Sequence, residues 1–257
     1  MIRVGTSGWV YAGWRERFYP KAIPQSRWLA YYATRFATVE LNATTYRLPK
    51  ETNIARWCES VPPDFRYTVK LSRLITHRKS LPDRVDTFIA NYMARIACFA
   101  PDRIAQLLVQ FPPSLERDDA HLRAFLDKLP AQHRYVVEFR HRSWLVPEVE
   151  AMLRERNMAL CIHDYPGFRM GNIVTASDLA YVRLHGASGL YVGSYSKRSL
   201  QRWVNRLREL EASAGNVYVY FNNDVDAAAP HDADALQTLL RETSDGKRSP
   251  VARLGAP

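Results

Sequence analysis

The stretch Tyr135-Val136-Val137-Glu138-Phe139-Arg140 sorts into two faces when read as a strand. Side chains alternate along a strand, so Tyr135, Val137 and Phe139 lie on one side and Val136, Glu138 and Arg140 on the other. The first face is wholly apolar and belongs against a packed layer. The second turns charged at its C-terminal end. Seven other short apolar runs also end in polar or charged residues: Ile2-Arg3-Val4-Gly5-Thr6-Ser7, Thr38-Val39-Glu40-Leu41-Asn42, Tyr67-Thr68-Val69-Lys70-Leu71-Ser72, Leu107-Leu108-Val109-Gln110, Leu160-Cys161-Ile162-His163-Asp164, Tyr181-Val182-Arg183-Leu184-His185 and Val217-Tyr218-Val219-Tyr220-Phe221-Asn222. A helix-like stretch follows almost every one. Eight such units predict an α/β fold, a single (βα)8 TIM-type barrel whose function lies at the carboxyl ends of its strands.

The connecting segments carry helical spacing. Trp28, Leu29, Tyr32 and Phe36 fall on one face of 26–36, and Val85, Phe88, Ile89, Tyr92, Ile96 and Phe99 on one face of 85–99. Segments 118–129, 147–156, 199–210 and 233–240 behave alike. The sixth unit departs from the pattern, since 167–177 has room for a short or irregular helix at most. Residues 1–243 are assigned to the barrel. Residues 244–257 hold turn formers without apolar periodicity and are read as a C-terminal tail.

Composition bounds the partners. A chain of 257 residues suits one barrel. No apolar run is long enough to cross a bilayer, and a strand begins at Ile2, which leaves no room for a signal peptide. Cys58, Cys98 and Cys161 are dispersed, odd in number and outside any CxxC spacing, so neither a disulfide frame nor a zinc ribbon is indicated. These features fit a reducing, cytoplasmic setting. The net charge of +10 favours anionic partners, small or polymeric. Arg202, Arg206 and Arg208 lie on a helical stretch, however, where a solvated face accounts for them.

In a closed barrel the consistently apolar face packs on the helix ring and the other face points inward. A purely structural interior carries bulky branched residues there. Here the inner face grows polar toward the strand ends and gathers Glu40, Asn42, Lys70, Gln110, Glu138, Arg140, His163, Arg183, His185 and Asn222 at one mouth. Buried charges need partners or a ligand, so a lined pocket is expected. Five cations (Lys70, Arg73, Arg140, Arg142 and Arg183) face three acids (Glu40, Glu138 and Asp164), a balance that favours a bound anion over a bare metal.

Several strand endings are similar to those of one known family. Val39-Glu40-Leu41-Asn42-Ala43-Thr44-Thr45-Tyr46, Val69-Lys70 followed by Thr76-His77, Gln110-Phe111-Pro112-Pro113, Glu138-Phe139-Arg140-His141-Arg142-Ser143-Trp144, Arg183-Leu184-His185-Gly186 and Tyr220-Phe221-Asn222-Asn223 together resemble the signature blocks of the YecE-like domain-of-unknown-function family 72. The likeness runs from Gly5-Thr6-Ser7-Gly8-Trp9 to the last helix. It implies a TIM-type barrel and brings no settled reaction with it. One departure is Asp232, which stands where family members often open the last helix with an Asn-Ala pair. Its expected effect is confined to helix capping.

The leading expectation is an enzyme using general acid/base chemistry on a phosphorylated or other anionic small molecule. Glu138, Asp164 and His185 are the candidate proton-transfer groups. Lys70, Arg140 and Arg183 are placed to hold the anion, with Glu40, Asn42, Gln110 and Asn222 completing the binding set. The bland reading of Glu138 and Arg140 is an internal ion pair. No cofactor is predicted. A divalent metal on Glu40, Glu138, His163, Asp164 and His185 is an alternative, by analogy with endonuclease IV and sugar isomerase barrels, although the neighbouring cations compete for those carboxylates. Non-enzymatic nucleic-acid binding is a third reading, motivated by charge, and no membrane partner is expected. Lys70 is assigned a salt bridge to Glu40 that keeps it charged, which argues against an imine-forming role. The loop 186–197 is read as an anion site at a helix N-terminus or as a flexible loop with Ser196 as a cap. Tyr191, Tyr195, Trp9, Tyr11, Trp14 and Tyr46 are read as stacking platforms or as a rim closing the mouth.

Overall fold

The alternating runs become eight parallel strands in a computed structural model that describes residues 1–45, 47–76 and 84–245. They are β1 (Ile2–Thr6), β2 (Thr38–Leu41), β3 (Arg66–Lys70), β4 (Ile104–Phe111), β5 (Tyr135–Phe139), β6 (Ala159–His163), β7 (Ala180–Leu184) and β8 (Val217–Phe221). Pairing follows the order β1-β8-β7-β6-β5-β4-β3-β2. A parallel bridge between Ser7 and Glu40 links the two ends, so the barrel is nearly closed. Gly5 permits that approach, because a Cβ there would lie 2.3 Å from the Thr38 carbonyl oxygen.

Between and after the strands run α1 (Trp28–Ala33), α2 (Glu51–Glu59), α3 (Arg73–Thr76), α4 (Val85–Ile96), α5 (Asp119–Leu126), α6 (Pro147–Glu155), α7 (Lys197–Ala214) and α8 (Ala228–Asp245). Local chemistry sets several boundaries. Asp118 caps α5 by accepting from the His121 amide at 2.9 Å, Pro147 opens α6, and Ser196 caps α7 by accepting from Ser199 at 3.2 Å. Among the described residues no helix links β6 to β7, so the sixth unit is the irregular one. Helix α8 ends two residues beyond the expected barrel boundary at 243, and the remainder of the expected tail lies outside the described residues. Among the described residues no helix is long and apolar enough to cross a membrane.

The faces sort as the alternation requires. Val39, Leu41, Val69, Val137, Phe139, Val182, Leu184, Val219 and Phe221 are buried against the helix ring in one large cluster. Leu108, Val136, Ala159, Cys161, Tyr181, Tyr218 and Tyr220 form a second cluster inside the barrel. That interior is partly polar even below the mouth. The Tyr220 hydroxyl meets Thr38 Oγ1 at 2.6 Å and Thr68 Oγ1 at 2.9 Å, and Gln106 donates to Thr68 Oγ1 at 2.6 Å. Register then stacks the next layer above it, pairing Gln110 with Glu138 and His163 with Arg183.

Candidate active site

Arg183 is the centre of the mouth. It is fully buried on β7, and it bridges two buried carboxylates: Nη1 donates to Glu138 Oε2 at 2.5 Å and Nη2 to Glu40 Oε1 at 2.7 Å. Glu40 is completed by Ser7 Oγ at 2.8 Å and by the Tyr181 hydroxyl at 2.5 Å. Glu138 also accepts from Arg140 Nε at 2.8 Å. The predicted Glu138–Arg140 pair is thus part of a longer chain, Ser7–Glu40–Arg183–Glu138–Arg140. Truncating one member of such a buried network leaves an uncompensated charge.

A cavity of about 210 Å³ opens above this chain, lined by Asn42, Thr45, Lys70, Arg140, Arg183, Tyr191, Asn222 and Asp224. Among the described residues six buried side-chain N or O atoms have no hydrogen-bond partner, and four belong to this lining: Asn42 Oδ1, Thr45 Oγ1, Arg183 Nε and Asp224 Oδ1. A fifth, His185 Nε2, stands 3.6 Å from Glu138 Oε1. Native interiors rarely leave buried polar atoms unpaired, so this convergence sets the cavity apart from the rest of the described interior.

The ionisable groups divide by environment. Burial works to raise the Glu138 carboxyl, but Arg183 and then Arg140 outweigh it and hold it well below the usual carboxylate range. Burial lowers His185 to about 4, so its ring is neutral at pH 7. Asn222 Nδ2 donates to its Nδ1 at 3.1 Å, which puts the ring proton on Nε2, facing Glu138. Burial, then the Arg183 charge, lowers Lys70 to about 8. Burial raises Asp224 to about 7, against the opposing pull of Tyr11 and Arg183.

Two expectations are corrected here. Lys70 does not pair with Glu40: its Nζ donates to Gln110 Oε1 at 2.6 Å, because Arg183, Ser7 and Tyr181 already occupy the Glu40 oxygens. The cation excess also shrinks. Arg73 and Arg142 are exposed and lie outside the cavity lining, where Lys70, Arg140 and Arg183 remain. Asp224 adds an acid that the strand runs did not include. Extending the β8 alternation two residues past Asn222 reaches it, whereas Ser7 already closes the first run.

Asp164 stands outside the cavity lining. Its Oδ1 accepts from the His185 amide at 2.6 Å and its Oδ2 from the Tyr195 hydroxyl, so it fixes the end of β7. His163 is likewise engaged, with Nε2 3.0 Å from the Phe139 carbonyl oxygen. The loop after β7 turns sharply at Gly186 (φ +128°), where a Cβ would fall 2.5 Å from two carbonyl oxygens. It delivers Tyr191, whose hydroxyl accepts from Arg140 at 3.1 Å and whose φ of +68° is unusual for a bulky residue. The first turn of α7 does not reach the lining, and Ser196 acts there as the cap. Asp232 is not a capping residue: it is buried within α8 and accepts from Asn223 Nδ2 at 2.7 Å and the Tyr195 amide at 3.1 Å, tying the β7 and β8 loops together.

The aromatic rim divides too. Trp14 is buried and donates to the Asp224 carbonyl at 2.9 Å. Trp9 and Tyr11, with Leu41, Asn42 and Trp57, line a second cavity of about 210 Å³ that shares Asn42 with the first. Tyr46 and His77 lie outside the described residues.

The molecule is a nearly closed (βα)8 barrel with a buried arginine–carboxylate lattice beneath a polar cavity at its carboxyl end. The chain matches the family model described as "Protein of unknown function DUF72" over residues 3–254, and it belongs to that family. Its relatives include UPF0759 protein YunF of Bacillus subtilis, 24% identical over 93% of this chain and 95% of YunF. UPF0759 protein YecE of Escherichia coli K12 is 31% identical over 62% of this chain, a match spanning 55% of YecE. A DUF72 family protein from Thermotoga maritima has a similar structure, with a TM-score of 0.81, 29% identity and coverage of 95% of this chain and 99% of that one.

Proposed function

We propose that the mouth is the active site of an enzyme for an anionic small molecule, with Lys70 and Asp224 exchanging protons with it. The observation that supports this most is the convergence of unpartnered atoms from Asn42, Thr45, Arg183 and Asp224 on one cavity. Lys70, lowered to about 8, and Asp224, raised to about 7, both titrate close to neutral pH, the range in which a group serves as donor and acceptor alike. Glu138, Asp164 and His185, nominated from sequence, take supporting parts. Glu138 anchors two arginines, His185 presents a fixed N–H to it, and Asp164 holds the strand end.

Lys70 and Arg140 supply the attraction for the anion, while Asn42 and Asn222 offer amide contacts. The adjoining Trp9–Tyr11–Trp57 chamber has room for a ring system attached to the anionic head, since apolar cavities of about 150 Å³ already accept benzene. The acid-rich metal alternative is less favoured by this arrangement. The carboxylates a metal needs are turned to Arg183, and among the described residues no three His, Cys, Asp or Glu side chains group to hold one.

Thermal unfolding in the presence of phosphate, pyrophosphate and malonate tests the placement. The wild type gains about 2.7 kcal/mol at a hundredfold excess over Kd for an anion that fits, and Lys70→Met loses most of that gain. Equal protection of both proteins would put the anion elsewhere.

A further inference from the structure

We infer that Lys70 is an imine-forming nucleophile, so that the molecule held in the mouth carries an aldehyde or ketone beside its anionic group. This rests on the reading of the mouth as a site for an anionic small molecule and adds a covalent step to it. Lys70 is half-buried, lines the cavity and donates to a neutral amide oxygen, Gln110 Oε1. Among the described residues no carboxylate stands within ion-pair distance of its Nζ. Glu40 is turned to Arg183, Ser7 and Tyr181, and Glu138 to Arg183 and Arg140. The charged neighbours that line the cavity with it are two guanidiniums, Arg183 and Arg140, and the carboxyl of Asp224. An ammonium in that setting gives up its proton more readily than one in water. Burial and then Arg183 act in this direction, with Arg140 adding to it and Glu138 and Glu40 opposing, and the balance leaves a free amine accessible near neutral pH. Lysines that attack carbonyl groups are activated in this way, by desolvation or a cationic neighbour. Gln110 accepts one Nζ–H and thereby aims the lone pair away from itself.

The step balances without any further reagent. The neutral Nζ lone pair attacks the carbonyl carbon, the C=O π pair moves to oxygen, and proton transfer from nitrogen gives a carbinolamine. The nitrogen lone pair then expels the hydroxyl as water, with its proton supplied by the Asp224 carboxyl in the same cavity. One water leaves and a protonated imine remains, beside the Asp224 carboxylate.

Reductive trapping tests this. The full-length protein is incubated at pH 7.5 with pyruvate, or with glycolaldehyde phosphate, and sodium cyanoborohydride, which delivers hydride to the iminium carbon and fixes the adduct. Peptide mapping by mass spectrometry locates it. The expected result is a secondary amine on Lys70 formed at least about tenfold faster than on the exposed Lys21, Lys50 and Lys197. Lys70→Arg loses the adduct, because a guanidinium forms no imine under these conditions. Should this variant fail to fold, the wild-type map decides alone. Phosphate protection without preferential labelling of Lys70 overturns the imine and spares the anion site. Absence of both overturns both.

Discussion

Asp224 is a buried carboxyl whose desolvation ties stability to pH. Its folded-state carboxyl is raised to about 7 from 3.8, so between those values the folded chain holds a proton that the unfolded chain has released. Stability therefore falls as pH rises through that window, and the penalty is complete above about 7. Asp224→Asn removes it. Urea denaturation is expected to show the variant more stable at pH 8 by on the order of 2 kcal/mol, with the gain gone near pH 4. Equal stability at pH 8 would mean that Asp224 is not desolvated. His185 carries the opposite sign. It is a base lowered from 6.5 to about 4, so the unfolded chain takes up a proton that the folded chain refuses, and stability falls as pH drops through that range. His185→Gln is expected to flatten the acid slope between pH 6.5 and 4 by up to ~3 kcal/mol relative to wild type. An unchanged slope would contradict the neutral buried ring.

The strands and helices were the most legible part of the chain, because each depends on a local period. The alternation in Tyr135–Phe139 and its counterparts placed every inner side chain on the correct face, and the helical spacing of Trp28, Leu29, Tyr32 and Phe36 survives as a buried cluster. Loop contacts were not legible, since they join residues far apart in sequence. Asp232 looked like a capping variation and instead ties Asn223 to Tyr195 across two loops. Asp232→Ala leaves the Tyr195 backbone N–H unpartnered and Asn223 Nδ2 with the Gly193 carbonyl alone, and a loss of about 2 kcal/mol in chemical denaturation is expected. Faster hydrogen exchange in the loop containing Tyr191 and Tyr195 should accompany it. A loss below about 0.5 kcal/mol would mean the tie contributes little.

Across the whole molecule, the inward constellation could be read from parity, but not which ions pair within it. Four side chains compete for Glu40, and the geometry awards it to Arg183, Ser7 and Tyr181, which leaves Lys70 on Gln110 without a counter-charge. The net charge was likewise a weak guide. Arg3, Arg35, Arg208 and Arg241 line a cavity of about 520 Å³ at the amino ends of the strands, away from the mouth. Fold and function should separate accordingly in mutants. Arg183→Met strands two buried carboxylates and is expected to lower unfolding free energy by about 3–5 kcal/mol. Lys70→Met removes a poorly solvated ammonium and should leave stability unchanged or slightly higher at pH 7. Similar large losses in both, measured by urea denaturation, would mean that Lys70 is part of the structural lattice.

A crystal structure of the protein soaked in pyrophosphate tests most directly whether the mouth is built around a ligand. Density for the anion is expected in the Asn42–Lys70–Arg140–Asp224 cavity, in contact with Lys70 Nζ. An ordered water cluster satisfying Asn42, Thr45, Arg183 and Asp224, with no anion in the mouth, would contradict it.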